Sequence, residues 1–165
     1  DWQGSDAQQQ IEFVKALIQL RKNHPLLNRT HYQHGEKRSN KTGLADISWL
    51  NCKGQSMQEH DWHDGALKCF AMLLAKTDEP DSNNDAKAED DALMIIFNAH
   101  PCEIHYQLPT LNGYWQLLLD TADKHEEFSK NKTINNMSDS SIVVEAHSCI
   151  VLTFVQANQS EEQVA

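Results

Sequence analysis

The sequence predicts a mainly β fold, an antiparallel β-sandwich preceded by one amphipathic α-helix. Three observations predict it. Apolar residues recur at helical spacing near the beginning, from Ile11 to Leu20. Further on they come in short runs or alternate with polar residues, as Ile104, Tyr106 and Leu108 do around His105 and Gln107. Asn, Asp, Gly and Pro separate those runs, as turns between antiparallel strands require. A chain of 165 residues is long enough to bury one core without metals or staples.

The helix comes first. Ser5 suits its N-cap, with Gln8 three residues on as the capping-box partner. Ile11, Val14 and Ile18 form one apolar line, and Phe13, Leu17 and Leu20 a second. Together they make a stripe wider than a solvent-facing helix needs. Arg21 and Lys22 complement the C-terminal end of the dipole. Pro25 ends the helix, because His24 before it is pushed out of the α region.

A polar stretch follows from Asn28 to Ala45 and reads as a loop, with at most a short strand at His31 to His34. Asp46 to Leu50 reads as a strand, Lys53-Gly54-Gln55 as a turn, and Gln58 to Gly65 as an irregular acidic segment. Core strands are expected at Leu67 to Leu74 and at Leu93 to Asn98. Further strands run through Ile104, through Trp115 with Leu117 and Leu119, at Ile142 to Glu145 and at Cys149 to Val155. Thr77 to Asp91 is acidic and poor in apolar residues, so it cannot repay the entropy of ordering. Asp123 to Ser141 reads as a long polar connection, and the end from Gln156 as a polar tail.

The net charge of −10 argues against nucleic acid, whose phosphates need a basic face, and against an anionic membrane surface. A neutral polymer such as a glucan stays compatible. The cysteines, Cys52, Cys69, Cys102 and Cys149, form no C-x-x-C pair, which suits free thiols in a reducing compartment. His60, Asp61, His63 and Asp64 hold donors that suit Zn or Mn, but no helical i,i+4 His pair is among them, and a solvated acidic turn is the favoured reading. No facing pair of carboxylates stands in a glycosidase setting, and no nucleophile elbow or phosphate loop is present. No catalytic residue, metal or cofactor is therefore assigned. Trp115 lies in an alternating strand and suits the core, whereas Trp49 and Trp62 suit anchors of the connector. Sugar stacking on an exposed indole is the alternative.

Several of these segments together resemble one family. Leu20-Arg21-Lys22-Asn23-His24-Pro25-Leu26-Leu27 is followed by Gly35, Asp46-Ile47-Ser48-Trp49, Gly54, Met57 and Asp61-Trp62. Phe97-Asn98-Ala99, Leu108-Pro109, Trp115, Leu119-Asp120-Thr121-Ala122 and the strand Cys149 to Phe154 come in the same order. This arrangement resembles the C-terminal portion of bacterial glycogen debranching enzymes of the isoamylase type, in the α-amylase superfamily. The resemblance implies that 1–27 is the last helix of a (β/α)8 barrel, 28–65 a connector, 66–156 the C-terminal sandwich and 157–165 a tail. It implies that Phe13, Val14, Leu17 and Ile18 face the barrel, and that Trp49, Gly54, Asp61 and Trp62 are structural residues of the connector. The family hydrolyses α-1,6 branches of glycogen with carboxylates carried upstream, so the implied chain is non-catalytic and cytoplasmic. Its implied partners are the barrel and, through it, branched glucan. The unpartnered helix would otherwise fold back on the sandwich or pair with a second copy in a two-fold homodimer. A glucan-binding sandwich, or an unrelated sandwich binding a protein partner, is the other reading.

Overall fold

The computed structural model describes residues 4–30, 32–36, 39, 42–77, 91–122, 132–134 and 141–157. They build three layers: a helix, a large sheet and a small sheet. Helix α1 spans Ser5–Asn23 and leads into a 3-10 turn, Pro25–Leu27. Gly4 rather than Ser5 holds the N-cap position, and its carbonyl accepts the first helical hydrogen bond from Gln8 N at 3.2 Å. His24 is extended at the C-cap, as the following Pro25 demands.

The strands are β1 (Ile47–Asn51), β2 (Cys69–Ala75), β3 (Ala92–Asn98), β4 (Ile104–Gln107), β5 (Gly113–Asp120), β6 (Lys132–Ile134), β7 (Ser141–Val144) and β8 (Ser148–Gln156). The large sheet has six strands in the order β1-β2-β3-β8-β5-β6, and β4 with β7 forms a two-stranded sheet. Every pairing is antiparallel. A short helix, α2 (Glu59–Trp62), lies between β1 and β2.

Alternation along the central strands sends side chains to two faces. One face carries Leu50, Cys69, Ala71, Leu73, Met94, Ile96, Trp115, Leu152 and Phe154, and packs against Tyr106 and Val144 of the small sheet. This is the sandwich core, and Trp115 and Tyr106 are fully buried in it. The other face carries Leu74, Leu93, Leu119 and Val151, with Ile47, Met72, Ile95 and Leu118 beside them. Phe13 and Leu20 of α1 and Leu26 and Leu27 of the 3-10 turn pack on that face. Asn98, at the end of β3, locks the two sheets together. Its amide donates to the carbonyls of Cys102, Val144 and Glu145 at 3.1, 3.0 and 2.8 Å, and its side-chain oxygen accepts from His100 N.

The stretch read as a loop is irregular over the described residues of 31–34. Besides the N-cap, three expectations change. The acidic segment contains α2, held by a capping box in which Gln58 and Asp61 exchange side-chain and backbone bonds. The polar connection from 123 contributes β6, which pairs with β5 through Trp115↔Ile134. Leu119 does not share the face of Trp115 and Leu117. Leu117 pairs with Leu152 and Leu119 with the adjacent Val151, so one extra residue on β5 forms a bulge. The bulge turns Leu118 and Leu119 together toward the helix. Most of the acidic stretch (78–90), most of 123–141 and the tail from 158 lie outside the described residues.

Candidate functional site

The connector is fixed to the sheet by Asp46. Its buried carboxylate accepts hydrogen bonds from His34 N at 3.1 Å, Gly35 N at 2.8 Å and Ile47 N at 3.0 Å. Its backbone carbonyl accepts from Ala75 N at the far end of β2. Sequence reasoning noticed Asp46 but gave it no role. A lone Asp before a strand carries no signal of the loop that folds back onto it.

From that anchor β1 runs along the edge of the large sheet and presents Trp49 on the helix-side face. Beyond Asn51 the chain turns sharply. Gly54 N bonds Asn51 O at 2.9 Å, and Met57 N bonds Trp49 O at 2.8 Å, so the returning strand lies beside β1. Gly54 is required twice over. Its φ is +69°, and a Cβ there would collide with the carbonyl oxygen of Gln107 at the end of β4. Asp61 accepts the backbone N–H of Gln58 at 2.8 Å and so holds α2, whose last residue is Trp62.

These devices set a row of rings across the sheet. Trp62 meets Trp49 edge-on at 5.7 Å between centroids, with the planes at 76°. Trp49 meets Phe70 at 5.9 Å, and Phe70 meets Phe97 at 5.1 Å. Phe70 and Phe97 are directly paired between β2 and β3, and Trp49 lies on the diagonal from β1. The row stays open: Trp62 is 55% and Trp49 36% exposed. Trp49 is thus a half-open anchor rather than a core residue. Phe70 goes unremarked in the sequence and Phe97 reads only as part of a strand end, because only the strand register brings them into line with the tryptophans.

Helix α1 covers the rest of this face and carries a second open patch. Phe13 turns inward to the sheet. Val14, Leu17 and Ile18 point away from it, and Ile18 is 50% exposed. The structure therefore splits the predicted helical set. Val14 and Ile18 lie about 100–140° round the helix from Phe13, and Leu17, four residues from Phe13, sits at the boundary between the two sides.

Chemically this surface is apolar and poor in reactive groups. The His and Asp donors of the Gln58 to Gly65 segment make local bonds. Asp61 caps α2, His63 Nδ1 meets the Glu59 carbonyl at 2.8 Å, and Asp64 accepts from Ala66 N. Among the described residues no group of three His, Cys, Asp or Glu converges on a metal-sized space. Burial pushes the Cys69 thiol up to about 12, with Cys52 adding to it, and the Cys149 thiol up to about 11, with Asp120 adding to it. The Tyr106 hydroxyl is raised for the same reason, with smaller contributions from Cys69 and Cys52.

Comparison with solved structures gives the same architecture. A pullulanase from Bacillus acidopullulyticus superposes with a TM-score of 0.54 at 13% identity, over 93% of this chain and 15% of that one. Pullulanase type I from Bacillus subtilis str. 168, solved with maltose, gives 0.52 at 16% identity, over 93% of this chain and 17% of that one. At the sequence level, a protein named "Glycogen operon protein GlgX homolog" from Mycobacterium bovis is 33% identical over 119 residues. That match covers 68% of this chain and 16% of the relative, so the chain spans a small part of the relative's length. The family described as "Isoamylase, C-terminal" matches residues 46–153, from the buried Asp46 to the last central strand. The chain belongs to the isoamylase C-terminal family.

Proposed function

We propose that this chain is the non-catalytic C-terminal part of a glycogen-debranching glycosidase, a hydrolase of α-1,6 branch linkages in the cytoplasm. Its task is to buttress the catalytic barrel. One observation carries the reading: the helix-side face is apolar across its width, yet α1 covers only part of it. Trp49 and Trp62 at one end, and Val14, Leu17 and Ile18 on the back of α1, stay open. An open apolar face of this kind marks a missing partner. Residues 1–27 then belong to the barrel as its last helix, 28–65 form the connector, and 66–156 form the sandwich, to which the connector lends β1 as an edge strand.

Direct glucan binding is the second reading, favoured by the exposure of Trp62. The ring geometry weighs against it. Trp49 and Trp62 meet at 76°, so they offer a pyranose no common flat platform. The same open face, left without the barrel, pairs two copies of the isolated chain about a two-fold axis.

The test is direct. The purified chain should release no reducing ends from a phosphorylase limit dextrin. It should self-associate with concentration in sedimentation, and Val14→Asp or Leu17→Asp should weaken the association. Release of reducing ends that tracks with the purified chain overturns the non-catalytic assignment. A strict monomer at high concentration overturns the pairing. Tryptophan fluorescence that titrates with maltooligosaccharide, and loses that response in Trp62→Ala, moves the reading to glucan binding.

A further inference from the structure

The end of β1 brings two cysteines together. The antiparallel register of β1 and β2 ends at Asn51↔Phe70, and Cys52 and Cys69 are the next residues beyond that last pair. Leu50 and Cys69 face the sandwich core, and Cys52, the residue after β1, starts the turn at the open edge of that core with its side chain exposed. Directly opposed residues have Cα atoms about 4.5–5.5 Å apart, which falls within the roughly 4.4–6.8 Å a disulfide spans. The Cys52 carbonyl accepts Gln107 N at 3.2 Å, which ties this first turn residue to the end of β4. The two thiols also lie within electrostatic reach of each other and of Tyr106. Both are free thiols in the structure, one exposed and one buried.

We propose that Cys52 and Cys69 form a dithiol–disulfide couple, with a small-molecule disulfide as its oxidant. This lies beyond the buttressing role and does not depend on it. The exposed Cys52 thiolate attacks one sulfur of oxidised glutathione, and the S–S bond breaks. One glutathione thiolate leaves, takes a proton from water, and leaves Cys52 as the mixed disulfide. Cys69 then gives its proton to solvent and attacks the Cys52 sulfur, expelling the second glutathione. Two protein thiols are oxidised and one small disulfide is reduced to two thiols. The bond closes a loop that contains the Gly54 turn, α2 and Trp62, so oxidation staples the open end of the aromatic row. Cys69 keeps its proton up to about 12, so the second step is the slow one. Its rate should rise about tenfold per pH unit in the neutral and mildly alkaline range, because the thiolate is the nucleophile.

The experiment treats the full chain with oxidised glutathione at mildly alkaline pH and maps peptides without reduction by mass spectrometry. The expected product is a Cys52–Cys69 cross-linked peptide lighter by two hydrogens. Glutathione should stay on Cys52 in Cys69→Ser, and the cross-link should vanish in Cys52→Ser. Cys102, also exposed, should end as a mixed disulfide and report that the oxidant was active. The proposal is overturned if Cys102 is modified while Cys52 and Cys69 stay thiols, if glutathione stays on Cys52 in the unmutated chain, or if Cys69 pairs with Cys102. Because Cys52 is exposed, Cys52→Ser leaves the core intact, and the unmutated chain alone decides the main outcome.

Discussion

The two faces of the six-stranded sheet are built from the same strands, yet they end in different states. On the sandwich side, Ala71, Met94, Ile96, Trp115 and Leu152 are closed off from solvent by the β4–β7 pair. On the helix side, Leu93 and Val151 are equally dry beneath α1, while Trp49 and Trp62 a few residues away are not. The difference lies in cover and not in composition. The uncovered end is as apolar as the covered one, and apolar surface left wet forfeits about 1.5–3 kcal/mol for each large side chain. These open aromatic residues are the surface that the proposed barrel contact would cover.

Truncating one tryptophan on each face is the sharpest way to break that comparison. Trp115→Ala should cost about 3–5 kcal/mol, because the indole is sealed in the core against Phe154. Trp49→Ala should cost the isolated chain about 1–2 kcal/mol, since part of the indole is already in water and its ring contacts are with Trp62 and Phe70. Urea denaturation of both variants measures the ratio. Equal losses would mean that the helix-side face is sealed in solution, and the comparison would fail.

The lock between the sheets comes next in size. Asn98→Asp removes an amide that serves three carbonyls and sets a carboxylate against them. The cost should be about 3 kcal/mol, the range for an unsatisfied buried polar group with charge. Thermal unfolding checks it, and a change within about 0.5 kcal/mol would show that the two sheets do not depend on each other.

How far these faces were legible follows from what sequence patterns encode. The helix and the central strands could be read, since 3.6- and 2-residue periods report burial directly. The resemblance pointed to the connector, and its tryptophans led to the open site. β6 could not be read, because Lys132-Thr133-Ile134 has no pattern of its own and is a strand only through its pairing with β5. α2 could not be read either, because its capping box uses Gln58 and Asp61 in place of the usual Ser or Thr with Glu. Simple alternation put Leu119 on the wrong face, since a bulge follows from the register with β8 and leaves no local mark in Leu117-Leu118-Leu119. Phe70 and Phe97 looked like two more strand residues until the register lined them up with Trp49.

Alkaline titration separates the faces in a third way. Unfolded thiols ionise from about pH 9, the ordinary value, whereas Cys69 on the core side holds its proton to about 12 and Cys149 on the helix side to about 11. Between those limits the unfolded chain binds fewer protons than the folded one, so stability falls as pH rises, by about 1.4 kcal/mol per pH unit for each such group. The stability is fully present below pH 9, and the window stays open longer for Cys69 than for Cys149. Denaturation at pH 8 and pH 10 under reducing conditions should show a steep fall that flattens in Cys69→Ala and in Cys149→Ala. An unchanged slope in Cys69→Ala would mean that the core side admits water.

The smallest expected effect tests the open face itself. Ile18 projects from the back of α1 with half its surface in water, and its partners on the helix, Val14 and Leu17, are also exposed. Ile18→Asp places a charge where solvent already is, and the helix keeps its grip on the sheet through Phe13 and Leu20 one side round. The folding free energy of dilute isolated chain should therefore move by no more than about 0.5 kcal/mol, as for ordinary surface changes. The same substitution should weaken self-association, because a carboxylate buried in an apolar contact loses its hydration without a partner. The two readings pull apart cleanly: denaturation at low concentration reports the chain, and sedimentation at high concentration reports the face. If Ile18→Asp unfolds the dilute chain, α1 packs more of its surface on the sandwich than its exposed residues show. If it changes neither quantity, the back of the helix is not the surface through which this chain meets another body, and the aromatic row at Trp49 and Trp62 must carry that contact alone.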